Sequence, residues 1–143
     1  FFIDLNWQED VYRERTVLHW TARTNHHEIL SFLVNHKDLK TKLDLNVQDS
    51  QGYSGLMIAC KYGSHEMISL LLDLSRSFLL DESLSIAKII APIDLNLVNN
   101  ENKSALTFAC QSGSIDIVFC LVNAFHTIYT HLSIPTTYTH LSI

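Results

Sequence analysis

Apolar residues along the chain fall into three pairs of segments. Each pair follows a polar stretch that is rich in Asp and Asn and also contains Gly or Glu. Within the second segment of each pair, apolar positions recur at the spacing of one broad helix face. These segments are Ile29-Leu30-Phe32-Leu33, Met67-Ile68-Leu70-Leu71-Leu72 and Ile117-Val118-Leu121-Val122. The pattern predicts a longer helix at the end of every unit.

Residues that favour helix ends flank the first segment of each pair. The residues before the first segments carry side-chain hydroxyls, which can cap the free amides of a helix: Thr16, Ser54 and Ser104. About two turns later come residue types that tolerate positive φ: Asn25, Gly63 and Gly113. Every unit is therefore predicted to contain a turn, a short helix, a second turn and a longer helix.

The units repeat in register as well as in pattern. The second unit runs DLNVQDSQGYSGLMIACKYGSHEMISLLL from Asp44, and the third runs DLNLVNNENKSALTFACQSGSIDIVFCLV from Asp94, at an offset of fifty residues. A weaker first copy starts at Asp4 and needs two extra residues before Thr16. Because one helix pair cannot bury its apolar face alone, neighbouring units must stack. The sequence therefore predicts an array of stacked helix pairs.

These motifs resemble the ankyrin repeat, whose signature is D-x-x-G-x-T-P-L-H-x-A-A-x-x-G followed by an apolar helix and D-V-N. The chain has TVLH from Thr16 to His19, DLN for DVN, and these signature residues in its second unit: Asp49, Gly52, Ser54, Leu56, Ala59 and Gly63. The resemblance covers about residues 4 to 125, but every TPLH-like site lacks its Pro, which is replaced by Val17, Gly55 and Ala105. The units also lie 38 and 50 residues apart instead of about 33. It implies an all-α ankyrin-repeat solenoid of stacked helix-turn-helix units with short β-turn or hairpin connections. It also implies that His19 hydrogen-bonds the turns of adjacent units.

We expect the array to occupy residues 1–128, with an insertion near 73–92, followed by a low-complexity tail at 129–143 in which YTHLSI occurs twice. The insertion is interpreted either as a lengthened outer helix or loop on the convex side, or as an added element around Leu84 that binds a partner. The last apolar segment, Ile115 to Phe125, lacks the polar outer face of a terminal unit. We therefore expect the array to continue in a longer protein.

Composition narrows the class of protein. Apolar residues make up 47% of the chain and charged residues 17%, as in folded domains, and no apolar run reaches the roughly 18 residues of a membrane span. The opening FFIDLNWQED is unlike a signal peptide, and three cysteines form no secretory framework. We therefore expect an intracellular, cytoplasmic protein without membrane insertion. The net charge of -5 argues against a nucleic-acid partner.

Candidate catalytic and metal motifs are incomplete. GYSG at Gly52 to Gly55 lacks the G-x-S-x-G spacing of a nucleophile elbow. The His-Glu pairs at 27 and 65 have Ser where an H-E-x-x-H zinc site needs its second His. Cys60 and Cys110 occupy the position in their repeat units that Ala22 occupies in the first unit. Both are therefore predicted to be small buried residues at helix contacts. We therefore expect no enzyme activity, no cofactor and no metal.

The leading hypothesis is a protein–protein interaction module. By resemblance, turn tips and first-helix faces contact the partner, and the corresponding residues are Tyr12, Arg13, Arg15, Arg23, Ser50, Gln51, Tyr53, Lys61, Tyr62, Asn100, Glu101, Lys103, Gln111 and Ser112. This set holds five of the ten basic residues but one of the fifteen acids, which favours an acidic partner segment. Two alternatives stay open: a regulatory or targeting segment of a larger enzyme or channel, and an ordinary solvated surface at these residues.

Overall fold

A computed structural model describes residues 3–9, 13–36, 42–80 and 89–133 of the chain. Within these ranges there are six helices in three consecutive pairs: α1 (Val17–Thr24), α2 (His27–Asn35), α3 (Gly55–Lys61), α4 (His65–Leu80), α5 (Ala105–Ser112) and α6 (Ile115–Ser133). The first helices form one layer, in which α1 contacts α3 and α3 contacts α5. The second helices form another layer, in which α2 contacts α4 and α4 contacts α6. The predicted all-α solenoid of stacked pairs is confirmed.

The predicted helix ends lie where the sequence pattern places them. The Ser54 hydroxyl accepts a hydrogen bond from the Met57 amide at 3.3 Å, and Ser104 does the same at the start of α5. Asn25 follows α1 with φ 56°, in the left-handed region that the sequence predicts for that slot. Gly63 and Gly113, with φ 68° and 73°, occupy the same region after α3 and α5. Local side-chain chemistry therefore sets where α3 and α5 begin, and a residue in the left-handed region follows each of the three first helices.

Two tight hairpins project before the second and third units. Short antiparallel bridges close them, from Gln48 to Ser54 and from Val98 to Ser104. In the second unit the Asp49 carboxylate accepts hydrogen bonds from the backbone amides two and four residues later, at 3.0 and 2.8 Å. Asn99 makes the same two bonds in the third unit, at 3.0 and 2.9 Å. An Asn side chain therefore supports this turn as an Asp does, which explains how the third unit keeps the hairpin.

The recurring DLN tripeptide connects each unit to the next. The Asn6 side chain accepts from the Asp44 amide at 2.8 Å and donates to the Lys42 carbonyl at 2.8 Å. Asn46 repeats both bonds one unit later, accepting from the Asp94 amide at 2.7 Å and donating to the Pro92 carbonyl at 3.0 Å. The asparagine amides of the first two copies therefore each fix the start of the following unit, whereas Asn96 in the third copy donates to the Tyr129 hydroxyl.

Burial corrects one sequence prediction about the cysteines. Cys60 is fully buried, as predicted, but Cys110 is exposed, so the prediction of burial is wrong for Cys110. Ala22 and Cys60 occupy the same slot in units that have a following unit stacked on them. No described helix pair follows α5 and α6. The slot is therefore buried only where another unit covers it.

Helices α4 and α6 are both longer than α2. Helix α4 continues to Leu80, eight residues into the segment predicted as an insertion, while the element predicted around Leu84 lies outside the described residues. Helix α6 continues to Ser133, five residues into the segment predicted as a tail. Among the helices that the structure describes, none combines the length and hydropathy needed to cross a membrane.

Candidate functional site

A shallow cleft lies where the first unit meets the second. It has a volume of about 100 Å³ and is lined by Arg13, Arg15, Arg23, Gln51, Tyr53, Ile58, Lys61 and Tyr62. We call it the basic cleft. Seven of these eight residues belong to the set predicted from sequence. Ile58 was not predicted as a cleft residue, because the sequence shows only an apolar position on α3. It is buried beneath the polar residues.

Arg13, which lies in the chain before α1, is the first cation of the basic cleft. Arg13 has φ 71°, and its carbonyl accepts a hydrogen bond from the Ser50 amide at 2.9 Å. The Arg13 guanidinium donates to the Gln51 side-chain oxygen at 2.9 Å. The hairpin of the second unit therefore holds both the backbone and the side chain of Arg13 at the rim of the basic cleft.

Arg15 has a structural contact that the sequence did not predict. Its Nε lies 3.5 Å from Oδ2 of Asp49, and the two side chains are 9% and 0% exposed. The guanidinium also lies over the Trp20 ring, 5.2 Å from the ring centroid. Because Arg15 compensates a buried carboxylate and is itself nearly covered, little of it is available to a partner. We therefore leave Arg15 out of the proposed contact surface.

Cation–aromatic pairs form two walls of the basic cleft. The Lys61 ammonium lies 5.0 Å from the Tyr53 ring centroid and 3.4 Å from the Tyr53 hydroxyl. Tyr53 is half-buried and packs on Phe108, with ring centroids 5.4 Å apart. Across the cleft, Arg23 lies 6.0 Å from the centroid of the exposed Tyr62 ring. These contacts order the two cations, although both side chains remain at the surface.

The charge of the basic cleft is largely uncompensated. Its lining includes four cations and no carboxylate, and of these cations only Arg15 forms an ion pair with a carboxylate among the described residues. The ordered positive groups Arg13, Arg23 and Lys61 are therefore available to a negatively charged group.

The predicted residues of the third unit do not line this cleft. Lys103 and Glu101 pair with each other, with Nζ 2.7 Å from Oε2. Their hydrogen bond raises the pKa of Lys103 and lowers the pKa of Glu101. Asn100 bonds the hairpin of the second unit, since its side-chain amide donates to the Ser50 carbonyl at 3.1 Å. Asn100, Ser50 and the Lys103–Glu101 pair therefore lie along the adjoining hairpin tips.

Three remaining predicted residues lie elsewhere. Gln111 and Ser112 are exposed at the end of α5, where the Ser112 hydroxyl donates to the Ala109 carbonyl at 2.7 Å. Tyr12 lies outside the described residues. The structure therefore brings seven predicted residues of the first two units together in the basic cleft, and it leaves Ser50 and the predicted residues of the third unit outside the cleft lining.

Candidate nucleophiles and metal ligands do not assemble in the described part of the chain. No group of three or more His, Cys, Asp or Glu residues there is arranged to hold a metal ion. Burial raises the pKa of the Cys60 thiol to about 12, which keeps it protonated at neutral pH. His19 is also buried, with both ring nitrogens engaged by Thr16 and Tyr53. Its predicted structural role, bonding the turns of adjacent units, is confirmed.

The sequence of the chain matches a family model and, over a shorter stretch, a known protein. A family model described as ankyrin repeats (3 copies) matches residues 1–79. The chain is 36% identical over 55 residues to the probable E3 ubiquitin-protein ligase XBOS32 of Oryza sativa subsp. japonica. That match covers 38% of this chain and 10% of the ligase, so the chain spans a small part of this relative.

A solved structure gives a broader likeness in fold. A chain in the complex of the Bd0816 predatory endopeptidase from Bdellovibrio bacteriovorus with immunity protein Bd3460 matches with a TM-score of 0.56. The match covers 77% of this chain and 46% of that chain, at 24% sequence identity. At this identity the likeness concerns the fold alone.

Proposed function

This chain belongs to the ankyrin repeat family, and from that premise we propose that it is a non-enzymatic module that binds a protein through the basic cleft and the adjoining hairpin tips. Ankyrin repeats are generally protein–protein interaction modules, and stacked repeats present extended binding surfaces. We place this interaction inside the cell, in the cytoplasm. The observation that carries the proposal is the grouping of uncompensated cations and aromatic rings in one cleft.

The size of the basic cleft favours a side chain of a partner over a whole small molecule. Its volume is about 100 Å³, whereas small-molecule sites usually enclose about 300–1,000 Å³. Arg, Tyr and Trp are the side chains that most often dominate binding energy at protein interfaces. A partner side chain entering between Tyr53 and Tyr62 meets this chemistry on both sides.

The charge of the basic cleft favours an acidic partner segment. Arg13, Arg23 and Lys61 can each donate to a carboxylate, and charge-assisted hydrogen bonds of this kind are short and strong. The ring of Tyr62 is exposed beside them and offers apolar contact area. We propose a segment in which Asp or Glu stands next to a large apolar residue.

A peptide-display experiment tests the site and the partner chemistry together. The folded chain is presented with random peptides, and we expect the bound pool to be enriched in Asp or Glu beside an apolar residue. Arg23→Glu should remove this enrichment, because it reverses a charge in the cleft. Arg76→Glu is the matched control, since Arg76 lies on α4, outside the cleft lining, and pairs with Asp73. Equal enrichment by both variants would show that the cleft is not the binding site.

A second candidate function rests on the partial match to a longer protein. The chain aligns with 10% of a probable ubiquitin ligase, which supports the alternative that this array is a regulatory or targeting segment of a larger enzyme. Sequencing the full-length transcript tests it directly. An open reading frame that adds a catalytic domain would support this candidate, whereas a frame limited to ankyrin units would rule it out.

A further inference from the structure

The polar side chains of the basic cleft offer many hydrogen-bond donors and few free acceptors. The charged groups of Arg13, Arg23 and Lys61 can only donate. The side-chain oxygen of Gln51 already accepts from Arg13 at 2.9 Å. The hydroxyl oxygen of Tyr53 accepts from Lys61 at 3.4 Å, which leaves this hydroxyl able to donate its own hydrogen. The cleft is therefore suited to a group that accepts hydrogen bonds from several donors at once.

Neutral groups hold these three cations in place. The Lys61 ammonium lies 5.0 Å from the centroid of the Tyr53 ring, and Arg23 lies 6.0 Å from the centroid of the Tyr62 ring. Arg13 is held by an amide oxygen. None of these partners carries a charge, so the contacts order the cations without neutralising them. An anion that binds here therefore meets a prearranged site, and the cations lose little further side-chain freedom.

The charge of the basic cleft exceeds what one carboxylate balances. Because Arg15 is already paired with Asp49, the cations that remain are Arg13, Arg23 and Lys61. A carboxylate brings one negative charge and two oxygens, whereas a phosphorylated side chain brings about -1.5 to -2 charges at pH 7 and three strong acceptor oxygens. One phosphate can therefore accept from all three cations and leaves less positive charge unbalanced.

The rest of the chain argues against a polyanion as the occupant. The chain carries a net charge of -5, so the charge outside the cleft repels a molecule with many phosphates, such as a nucleic acid or an anionic membrane. A single phosphate responds mainly to the local charge of the cleft, because salt screens exposed charges more than about 8–10 Å away. The cleft volume of about 100 Å³ also suits one compact group.

We propose that the partner segment enters the basic cleft with a phosphorylated serine or threonine. This proposal rests on the binding function proposed above and names the acidic group of the partner. A phosphate on these short side chains brings the partner's backbone to the rim of the cleft, where the exposed ring of Tyr62 contacts the apolar neighbour. A phosphotyrosine has to fit its ring as well into about 100 Å³. A kinase and a phosphatase that act on the partner therefore control binding.

Four peptide pools test the proposal on the 143-residue chain. Each pool has random residues around one fixed central residue: phosphoserine, serine, glutamate or phosphotyrosine. Fluorescence anisotropy then measures the affinity of the tightest-binding peptide of each pool. Loss of one hydrogen bond to a charged group costs about tenfold or more in affinity. We therefore expect the best phosphoserine peptide to bind about tenfold or more tightly than the best glutamate peptide, and the serine peptide to bind most weakly.

Two neutral substitutions locate the phosphate within the cleft. Arg23→Gln and Lys61→Gln each remove one charged donor, so each should weaken binding of the phosphoserine peptide about tenfold. Binding of the glutamate peptide should weaken less, because a carboxylate with two oxygens uses fewer of the three cations. The ratio of the two affinities should therefore fall in both variants. Arg76→Gln on α4 is the matched control and should keep the ratio of the unaltered chain.

Four results would contradict the proposal. Equal affinity for the best phosphoserine and glutamate peptides would overturn it and leave the binding of acidic segments in place, whereas failure of all four pools to bind would overturn both proposals. Tightest binding by phosphotyrosine would exclude the short side chain, and displacement of the peptide by an equal concentration of a single-stranded oligonucleotide would indicate a nucleic-acid site instead.

The variants add a test of position. An unchanged affinity ratio in both Arg23→Gln and Lys61→Gln, with far-UV circular dichroism spectra like that of the unaltered chain, would show that the phosphate binds outside the basic cleft. The spectra separate loss of the site from loss of the fold.

Discussion

His19 bonds the first unit to the second: its Nε2 lies 2.8 Å from the carbonyl oxygen of Tyr53. The other ring nitrogen, Nδ1, accepts a hydrogen bond from the Thr16 amide at 3.1 Å. With Nδ1 as acceptor, Nε2 must carry the proton that is donated to Tyr53. The neutral imidazole therefore bonds the Thr16 amide at the start of α1 and the Tyr53 carbonyl in the hairpin of the second unit at the same time.

The burial of His19 makes stability depend on pH in a defined direction. Burial is the main cause that lowers the pKa of folded His19 below its usual 6.5, so the unfolded chain takes up a proton more readily than the folded chain. The contribution to stability is therefore complete above about pH 6.5 and declines as the pH falls below it. We expect His19→Met, which copies the residue in this slot of the second unit, to unfold about 1 kcal/mol more easily at pH 8. Urea unfolding at pH 8 and pH 5.5 should show that this deficit shrinks at the lower pH; a constant deficit would contradict the assignment.

The three cysteines should differ in reactivity. Cys60 is buried with a thiol pKa raised to about 12, whereas Cys110 is exposed and Cys120 is intermediate. In native buffer, a thiol reagent should label Cys110 first and Cys60 last, because labelling needs an accessible thiolate. Peptide mass spectrometry over time measures the order, and rapid labelling of Cys60 in the folded chain would contradict it. Cys60→Ala should cost no more than about 1.5 kcal/mol, since it removes little buried volume.

Asp49 should contribute to stability mainly through its turn. Asp49→Ala leaves the amides of Gln51 and Tyr53 without their acceptor and Arg15 without its carboxylate. We expect a loss of about 1–3 kcal/mol in the free energy of unfolding. Asp49→Asn is the matched variant, because Asn99 shows that an amide accepts the same two bonds. Thermal unfolding of the two variants should separate them, and equal losses would assign the effect to the ion pair instead.

Tyr53 should contribute to both folding and binding. We expect Tyr53→Ala to weaken binding of an acidic peptide by about 2 kcal/mol, mostly through faster dissociation. Because Tyr53 is half-buried against Phe108, the same change should also lower stability by about 1–3 kcal/mol. Tyr53→Phe keeps the ring contact and removes only the hydroxyl near Lys61. Calorimetric unfolding and surface plasmon resonance should show that Tyr53→Phe retains most of both properties; unchanged binding by Tyr53→Ala would exclude the residue from the site.

Lys61 should act chiefly on the rate of association. Its ammonium is exposed, and no carboxylate among the described residues pairs with it. Lys61→Glu should slow association with an acidic peptide, most strongly at low ionic strength, because salt screens exposed charges. Stopped-flow rates at several salt concentrations measure this. A variant that slows association equally at all salt concentrations would indicate a steric effect instead.

Local features of the fold were predictable from sequence because neighbouring residues determine them. A hydroxyl at Ser54 and a glycine at Gly113 specify helix ends whatever lies around them. Burial was predictable only where the neighbouring unit could be inferred. Cys60 and Cys110 stand in equivalent slots, yet the second has no described unit stacked on it. The position of a residue in a repeat therefore predicts the type of its side chain more reliably than it predicts the exposure of that side chain.

The candidate site was predictable to a similar extent. Sequence placed Arg13 and Lys61 on one face through their positions in the repeat, and both line the basic cleft. Nothing in the local sequence shows that Arg15 meets Asp49, since the two residues are 34 positions apart and belong to different units. The pairing of Lys103 with Glu101 depends likewise on side-chain conformations that a positional comparison cannot supply.

Because asparagine bonds join the units, the geometry of the array does not depend on the length of its loops. Asn6 reaches Asp44 across 38 residues, and Asn46 reaches Asp94 across 48, with the same atoms and nearly the same distances. What lies between one outer helix and the next DLN motif therefore does not set the step of the stack. Evolution or a protein engineer can lengthen that connection, or graft a foreign segment into it, without resetting the alignment of the units beyond.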